Sequence, residues 1–462
     1  VSAANKSGNN IAAGADMTSV FDMTTATDLQ ALVQPHRVHR SIYTETEVFN
    51  AEMSKVFGGT WVYLAHESQV PEPNDFLASR MGLRSLIITR DSDGGLHALF
   101  NRCAHRASSV CQAECGSARR FQCSYHGWTY SNRGDLVNVP YPEGYPADFH
   151  KADHGLAQVP RLGTYRGLIF GTLNLDAPSL AEWLGPAGPL IDGFVDRSPS
   201  GSIEVRNCQR MIYRGNWKLA WDNAADGLHP TFAHRSFVIL NERQHGGARS
   251  LSQFKSSPDD TGMYGADLGN GHMFVDQRPG LHQSFWDTQR PVPGREWYAE
   301  QITESSGDDA GDVLEVAPGS MINLSIFPNL LIKGNHLETV DPVTVGETRL
   351  HTWVAAAAGA PDEVNVLRMR IAEDFPSLGN PDDLELFERC QEGLGIAEVE
   401  WVDMSKGLGH ETEEVSADGV VRAPVTHEGP MRGYLRAWLE LMSSDVKLTT
   451  AAAGEVSCEV AA

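Results

Sequence analysis

The 462-residue chain is longer than one hydrophobic core usually organises, so two domains are expected. Its hydrophobic share of 41% and charged share of 21% are ordinary for a folded globular protein and exclude a disordered or fibrous class. A formal net charge of −23 argues against nucleic acid or an anionic membrane face as a partner.

Residues 1–40 are polar, small and poor in large apolar side chains, and are expected to form a loose arm. The first ten residues lack the basic segment and apolar core of a secretory signal. No apolar run approaches the ~18 residues of a membrane span, so a cytoplasmic location is expected. From Thr44 to Phe57 the spacing of Val48, Phe49, Met53, Val56 and Phe57 predicts a helix, stopped by Gly58-Gly59.

From Trp61 to about Leu175 the texture is β. Leu86–Arg90 and Leu96–Phe100 read as strands around an Asp93-Gly94-Gly95 turn, and Phe121–Tyr130 and Gly167–Leu173 continue the pattern. Residues 41–178 are thus expected to be a small all-β domain with a preceding helix. Residues 179–447 mix strand-like Gln209–Arg214, Leu324–Ile332 and Leu350–Ala355 with helix-like Trp217–Ala225, Asp382–Gly393 and Met431–Met442. An antiparallel sheet flanked by helices fits, giving an α+β protein. Residues 241–320, rich in Gly, Asp, Ser and Gln, are expected to be long loops, and the Ala-rich tail 448–462 disordered.

Seven cysteines in a chain of this size do not suggest a disulfide framework. Cys103, Cys111, Cys115 and Cys123 fall close together, whereas Cys208, Cys390 and Cys458 are isolated and are expected to be buried free thiols. Within the first group, Cys103-Ala104-His105 is followed after seventeen residues by Cys123-Ser124-Tyr125-His126. Each half supplies one thiolate and one imidazole, the ligand set of a Rieske [2Fe–2S] cluster with both histidines on one iron. Tetrahedral zinc is the competing reading, but zinc loops usually pair Cys with Cys, and here each loop pairs Cys with His. Cys111 and Cys115 are read as bystanders.

Further on, Asp222-Asn223-Ala224-Ala225-Asp226-Gly227-Leu228-His229 leads to His234. Five residues on a regular helix leave two side chains about 140° apart, so joint ligation by His229 and His234 requires a broken turn. Pro230 is tolerated where a helix restarts. Two imidazoles and one carboxylate with open positions form the facial triad of non-haem ferrous oxygenases. The plainer alternative is a pair of loop histidines that cap or pack. Asp382 and Asp383 open a predicted helix, where Asp is also ordinary capping and dipole chemistry.

From about His39 to Gly393 the chain resembles ring-hydroxylating dioxygenase α subunits of the benzoate/toluate type. The matching stretches are Gly59–Pro71, the two Cys/His loops, Tyr165–Gly171, Gly215–Lys218 and Pro381–Leu384. The resemblance implies a Rieske cluster on Cys103, His105, Cys123 and His126, and a mononuclear Fe(II) on His229, His234 and the second aspartate of the pair, Asp383. It also implies that Asp226 bridges the two centres, with His126 and His229 as partners, and that Asn223 belongs to the catalytic segment. An α trimer is implied, often with three β subunits, in which electrons cross from one subunit's cluster to its neighbour's iron. The family commonly has Glu and Tyr where this chain has Asp222 and Leu228.

No Gly-x-Gly-x-x-Gly joins a strand to a helix, so electrons are expected from a separate reductase, with or without a ferredoxin. The expected function is dihydroxylation of an aromatic ring, an aromatic carboxylate among the candidates. The alternatives are a Rieske monooxygenase and, without mononuclear iron, an electron-transfer protein. The pocket is expected near Leu228, Phe232, Leu324 and Phe375, with Lys333 or Asn223 as partners for a substrate carboxylate.

Overall fold

Alternation along a single hairpin explains how the β-rich region is organised. Arg84–Arg90 pairs antiparallel with Leu96–Phe100, and Asp91 closes the turn by accepting the backbone N–H groups of Asp93 and Gly95 at 2.8 and 2.9 Å. Side chains of a strand alternate between faces. Leu86, Ile88 and Ala98 therefore enter the main core, whereas Ile87 and Leu99 enter a separate small core that also holds Cys103, Cys123, Trp128 and Tyr130. The sheet containing this hairpin is the wall between the two.

The computed structural model describes residues 26–236, 239, 258–280, 294–316, 322–409, 413–452 and 456–461. Behind the wall lies a nine-stranded antiparallel sheet. Its order is Ile203–Tyr213, Glu347–Ala357, His336–Thr344, Leu330–Lys333, Ile322–Ile326, Met273–Asp276, Tyr264–Asp267, Val421–Pro424 and Glu414–Val415. The α+β class with helices against a large antiparallel sheet is as expected. The β-rich region is fastened to this sheet by Asn329, whose amide accepts from Tyr63 N–H at 3.0 Å and donates to Tyr63 C=O at 2.9 Å.

Three helices define the interior next to the sheet. Trp217–Ala224 starts at Asn216, whose side chain accepts Lys218 N–H at 3.1 Å. Asn380–Leu394 starts with Pro381 in its first turn, where the missing N–H costs nothing, and carries both Asp382 and Asp383 there. Gly429–Ser443 packs on Tyr264–Asp267, Met273–Asp276 and Val421–Pro424 and reaches the first helix through Tyr434, which donates to Asp222. Glu52 ties these parts together: its carboxylate accepts from Lys218 Nζ at 2.6 Å, Trp217 Nε1 at 2.9 Å and Trp438 Nε1 at 2.8 Å. Both ions are fully buried, so each depends on the other, and stranding one costs about 3–5 kcal/mol.

Four expectations are corrected. Of the segment expected as a loose arm, residues 1–25 lie outside the described residues; the rest contains the helix Ala26–Leu32 and the strands Val33–Gln34 and Arg37–His39, the latter paired with Trp401–Asp403, and Leu29, Leu32 and Val38 are buried. The tail expected to be disordered contributes Ser457–Val460, a parallel strand along Arg161–Tyr165. Within 241–320, Tyr264–Asp267 and Met273–Asp276 are central strands and Arg295–Ser306 and Ala310–Val316 are helices; the remaining loop expectation there lies largely outside the described residues. Cys208, Cys390 and Cys458 are exposed rather than buried, two of them on edge strands and one on the outer side of a helix.

Candidate metal centres

The two Cys/His loops are built alike. Cys103 C=O accepts the N–H of Ala107 at 3.0 Å, and Cys123 C=O accepts that of Gly127 at 3.0 Å. Each turn needs a left-handed residue at that point: Ala107 has φ 61° and Gly127 φ 72°. The loops face each other, bringing the His105 and His126 rings to 4.7 Å between centroids. Cys103 and Cys123 are buried at the base, while both histidines lie nearer the surface.

The surroundings suit an iron–sulfur core. Burial pushes the Cys123 thiol up, but the N–H groups of Tyr125 and His126, with Cys103 and Ser108, outweigh it and leave it lowered. Tyr130 OH lies 3.1 Å from Cys103 Sγ and accepts Ala104 N–H at 3.0 Å. Trp128 lies parallel to the His105 ring at 4.9 Å and donates its indole N–H to Tyr145 OH at 3.0 Å. Neither aromatic was predicted to serve the site, although the pairing of Tyr130 with core residue Phe121 follows from strand alternation. His105 Nδ1 is buried without a hydrogen-bond partner, as a nitrogen aimed at a metal would be.

The second constellation lies beyond the Trp217–Ala224 helix. The chain leaves that helix at Ala225, turns, and makes a 3-10 turn at His229–Thr231 with Pro230 inside it. This broken geometry brings His229 and His234 together despite their five-residue spacing, with centroids 5.3 Å apart. Asp383 comes to them from the Asn380–Leu394 helix, its Oδ1 at 3.2 Å from His234 Nε2 and 3.7 Å from His229 Nε2. Among the described residues, His229, His234 and Asp383 are the one set of three such donors whose atoms all lie within 4.8 Å of one another.

Each member of the triad is held by a further group. Burial pushes the Asp383 carboxyl up, but the hydrogen bond and charge of His234, then His229 and Lys333, outweigh it and lower it. Burial pushes the His234 imidazole down, and Asp383 and Asp382 more than reverse this. Asn223 Nδ2 donates to Asp383 Oδ1 at 3.2 Å. Asp226 Oδ2 lies 3.6 Å from His229 Nδ1, and its Oδ1 accepts the N–H groups of Leu228 at 2.7 Å and His229 at 3.3 Å. Asp382 Oδ2 lies 3.6 Å from His234 Nδ1 and is more exposed than Asp383. Asp222 accepts from Tyr43 OH at 3.0 Å and from Tyr434 OH, and burial pushes its carboxyl up to about 6.

The expected pocket residues fare unevenly. Phe232 is exposed, Leu324 packs on the sheet face opposite Lys333, and the Phe375 side chain lies outside the described residues. Lys333 Nζ donates to Glu338 at 2.8 Å, and Asn223 is engaged with Asp383.

A Cys₂His₂ pair of loops and a separate His₂Asp cluster on a helix-covered antiparallel sheet define a two-centre, non-haem iron oxygenase. Residues 60–160 match the Rieske [2Fe-2S] domain family, and residues 200–444 match the catalytic domain of the ring-hydroxylating alpha subunit family. The chain belongs to the ring-hydroxylating dioxygenase α-subunit family, whose members carry a Rieske cluster and a mononuclear iron. It is 34% identical over 391 residues to the toluate 1,2-dioxygenase subunit alpha of Pseudomonas putida, covering 81% of this chain and 82% of that one. It is 35% identical to the 2-halobenzoate 1,2-dioxygenase large subunit of Burkholderia cepacia, covering 81% and 80%. The solved naphthalene 1,2-dioxygenase of Rhodococcus sp. superposes with a TM-score of 0.72 at 26% identity, covering 88% of this chain and 95% of that one. Among the described residues no helix is long and apolar enough to cross a membrane.

Proposed function

We propose that this chain is the catalytic α subunit of a terminal oxygenase that adds both atoms of dioxygen to an aromatic ring, yielding a cis-dihydrodiol, and that its substrates are aromatic carboxylates. The observation that carries the reading is the His229/His234/Asp383 cluster, with His234 and Asp383 buried, His229 half-buried and Asp226 behind His229. The carboxylate preference is supported by the names of the toluate and 2-halobenzoate relatives.

In this reading His229, His234 and Asp383 hold ferrous iron, and Cys103, His105, Cys123 and His126 hold the cluster. Together these groups supply a place for dioxygen to react and one-electron delivery to it. The protein's own residues prepare that place. Asp226 fixes the His229 ring so that Nε2 faces Asp383, and Asp382 stands behind Nδ1 of His234 in the same way. Asn223 restrains the Asp383 carboxylate, leaving its orientation independent of substrate.

The balance of ring, dioxygen, two electrons and two protons requires an outside donor, which we assign to a separate reductase, directly or through a ferredoxin. Asp226 makes its contacts on its own turn, so its bridging role toward His126 calls for a second copy of the chain, as in an α trimer. Small β subunits complete the proposed assembly.

The test is turnover of benzoate under ¹⁸O₂ with the purified oxygenase and a surrogate reductase. A dihydrodiol carrying label in both new hydroxyl groups is expected. A product with a single labelled hydroxyl, or a demethylated product from a methoxy substrate alone, would establish the monooxygenase alternative. For the cluster, Cys103→Ala should abolish the visible and electron-resonance signals of the Rieske centre, because one iron loses a thiolate. A normal signal in that variant would overturn the assignment.

A further inference from the structure

The inner face of the large sheet carries polar groups to which the roles above give no task. Cross-strand partners share a face. The register pairs Asn323 with Lys333 and Lys333 with His336, and it pairs Ser325 with Leu331, Leu331 with Glu338 and Glu338 with Thr352. One face therefore holds Asn323, Ser325, Lys333, His336, Glu338 and Thr352, with Leu331 between Ser325 and Glu338. It looks toward the Asn380–Leu394 helix, because Asn380 Nδ2 donates to Glu338 Oε2 at 3.1 Å. The first turn of that helix also carries Asp383, three residues after Asn380.

Buried polar groups are nearly always hydrogen-bonded, and exceptions need a reason. Glu338 is no exception: at 1% exposure it accepts from Lys333 Nζ at 2.8 Å, Thr352 Oγ1 at 2.9 Å and Asn380. Its neighbours differ. Ser325 at 1% exposure has a buried Oγ with no partner, and His336 at 4% exposure has a buried Nε2 with none. Lys333 gives one N–H to Glu338, and its ammonium carries two more. Glu338 is thus a fixed anchor that aims Lys333 while using only part of its donor capacity.

We propose that Lys333, assisted by Ser325 and His336, is the subsite that receives the carboxylate of an aromatic acid whose ring lies before the His229/His234/Asp383 cluster. The inference rests on the oxygenase reading above and adds the residues that select the substrate. A carboxylate only accepts hydrogen bonds, and the lysine ammonium, the serine hydroxyl and a neutral imidazole N–H can each donate one. The Lys333–Glu338 pair is neutral overall, so selectivity comes from directed hydrogen bonds rather than from a broad positive field. A methyl group in place of the carboxylate would leave these buried donors unanswered, which is how a site built for a polar group rejects an apolar analogue.

The test compares benzoate with toluene on the complete oxygenase, with any β subunits and a surrogate electron donor, and adds calorimetric titration of benzoate without turnover. Lys333→Met should lower the ratio of kcat/KM for benzoate to that for toluene by about 10–100-fold and weaken benzoate binding comparably, as for loss of a hydrogen bond to a charged group. Ser325→Ala should lower the ratio by about 3–10-fold. Because Lys333→Met alone strands the buried Glu338 charge, Lys333→Met/Glu338→Gln removes both charges, and the same loss of discrimination is expected. An unchanged ratio and unchanged benzoate affinity in both variants would overturn the subsite. So would a wild-type enzyme that oxidises toluene but neither binds nor oxidises benzoate, with the oxygenase reading intact. A wild-type enzyme with a normal cluster and full iron that oxidises no aromatic compound would overturn the oxygenase reading instead, and the titrations would still decide what Lys333 binds.

Discussion

Asp383→Ala should remove the mononuclear iron and depress turnover by on the order of 100-fold or more, while leaving the Rieske spectrum unchanged. His229→Ala and His234→Ala should do the same. The reason is geometric: the three donors already converge within 4.8 Å, and two donors cannot hold ferrous iron against water as three can. Asp382→Ala is the control that gives the experiment its force. Its carboxylate sits 3.6 Å behind His234 Nδ1, where it orients a ring without facing the centre of the cluster, so a loss nearer ~10-fold with iron retained is expected. Iron analysis beside the cluster absorbance reads both outcomes. An Asp382→Ala protein without mononuclear iron, beside an iron-replete Asp383→Ala protein, would reverse the assignment within the pair.

The two aspartates show where sequence reasoning reaches and where it stops. As proposed cluster ligands, Cys103, His105, Cys123 and His126 stand out in the sequence because each loop carries its two donors within a few residues, and only the pairing of two short loops has to be inferred. His229 and His234 are half legible: their helical phase is wrong for joint ligation, and only the broken turn around Pro230 repairs it. Asp383 has no local signal that separates it from Asp382, since both suit a helix N-terminus. What separates them is burial against a distant histidine pair, a tertiary fact.

The same limit explains the fold corrections. Arg37–His39 and Ser457–Val460 look featureless because their partners, Trp401–Asp403 and Arg161–Tyr165, lie hundreds of residues away. Pairing, rather than composition, orders them. Around Lys333 the sequence offers one candidate side chain but not its polar surroundings. Strand alternation with Lys, His and Glu on one face ordinarily marks a solvated surface, yet here that face is covered by the helix bearing Asp383. Polar residues at buried positions are what a binding site requires and what a hydrophobicity pattern cannot anticipate.

Communication between the two centres should depend on Asp226 more than iron binding does. Asp226→Asn keeps the side-chain volume and one carbonyl acceptor for the Leu228 and His229 N–H groups, so the turn that presents His229 should survive. It removes the negative charge 3.6 Å from His229 Nδ1. A carboxylate in that place fixes the imidazole and can take up the proton that offsets an arriving electron, and replacing such a group typically costs ~10–100-fold in affinity or activity. The variant is therefore expected to keep its cluster and most of its mononuclear iron, yet to oxidise its reduced cluster slowly when benzoate and dioxygen are added together. Single-turnover stopped-flow on pre-reduced protein, following cluster absorbance at matched iron content, measures this directly. Steady-state turnover alone would not, because loss of iron and loss of electron transfer both lower it. Cluster oxidation at the wild-type rate in an iron-replete Asp226→Asn protein would reduce Asp226 to a support for His229, with no part in joining the two centres.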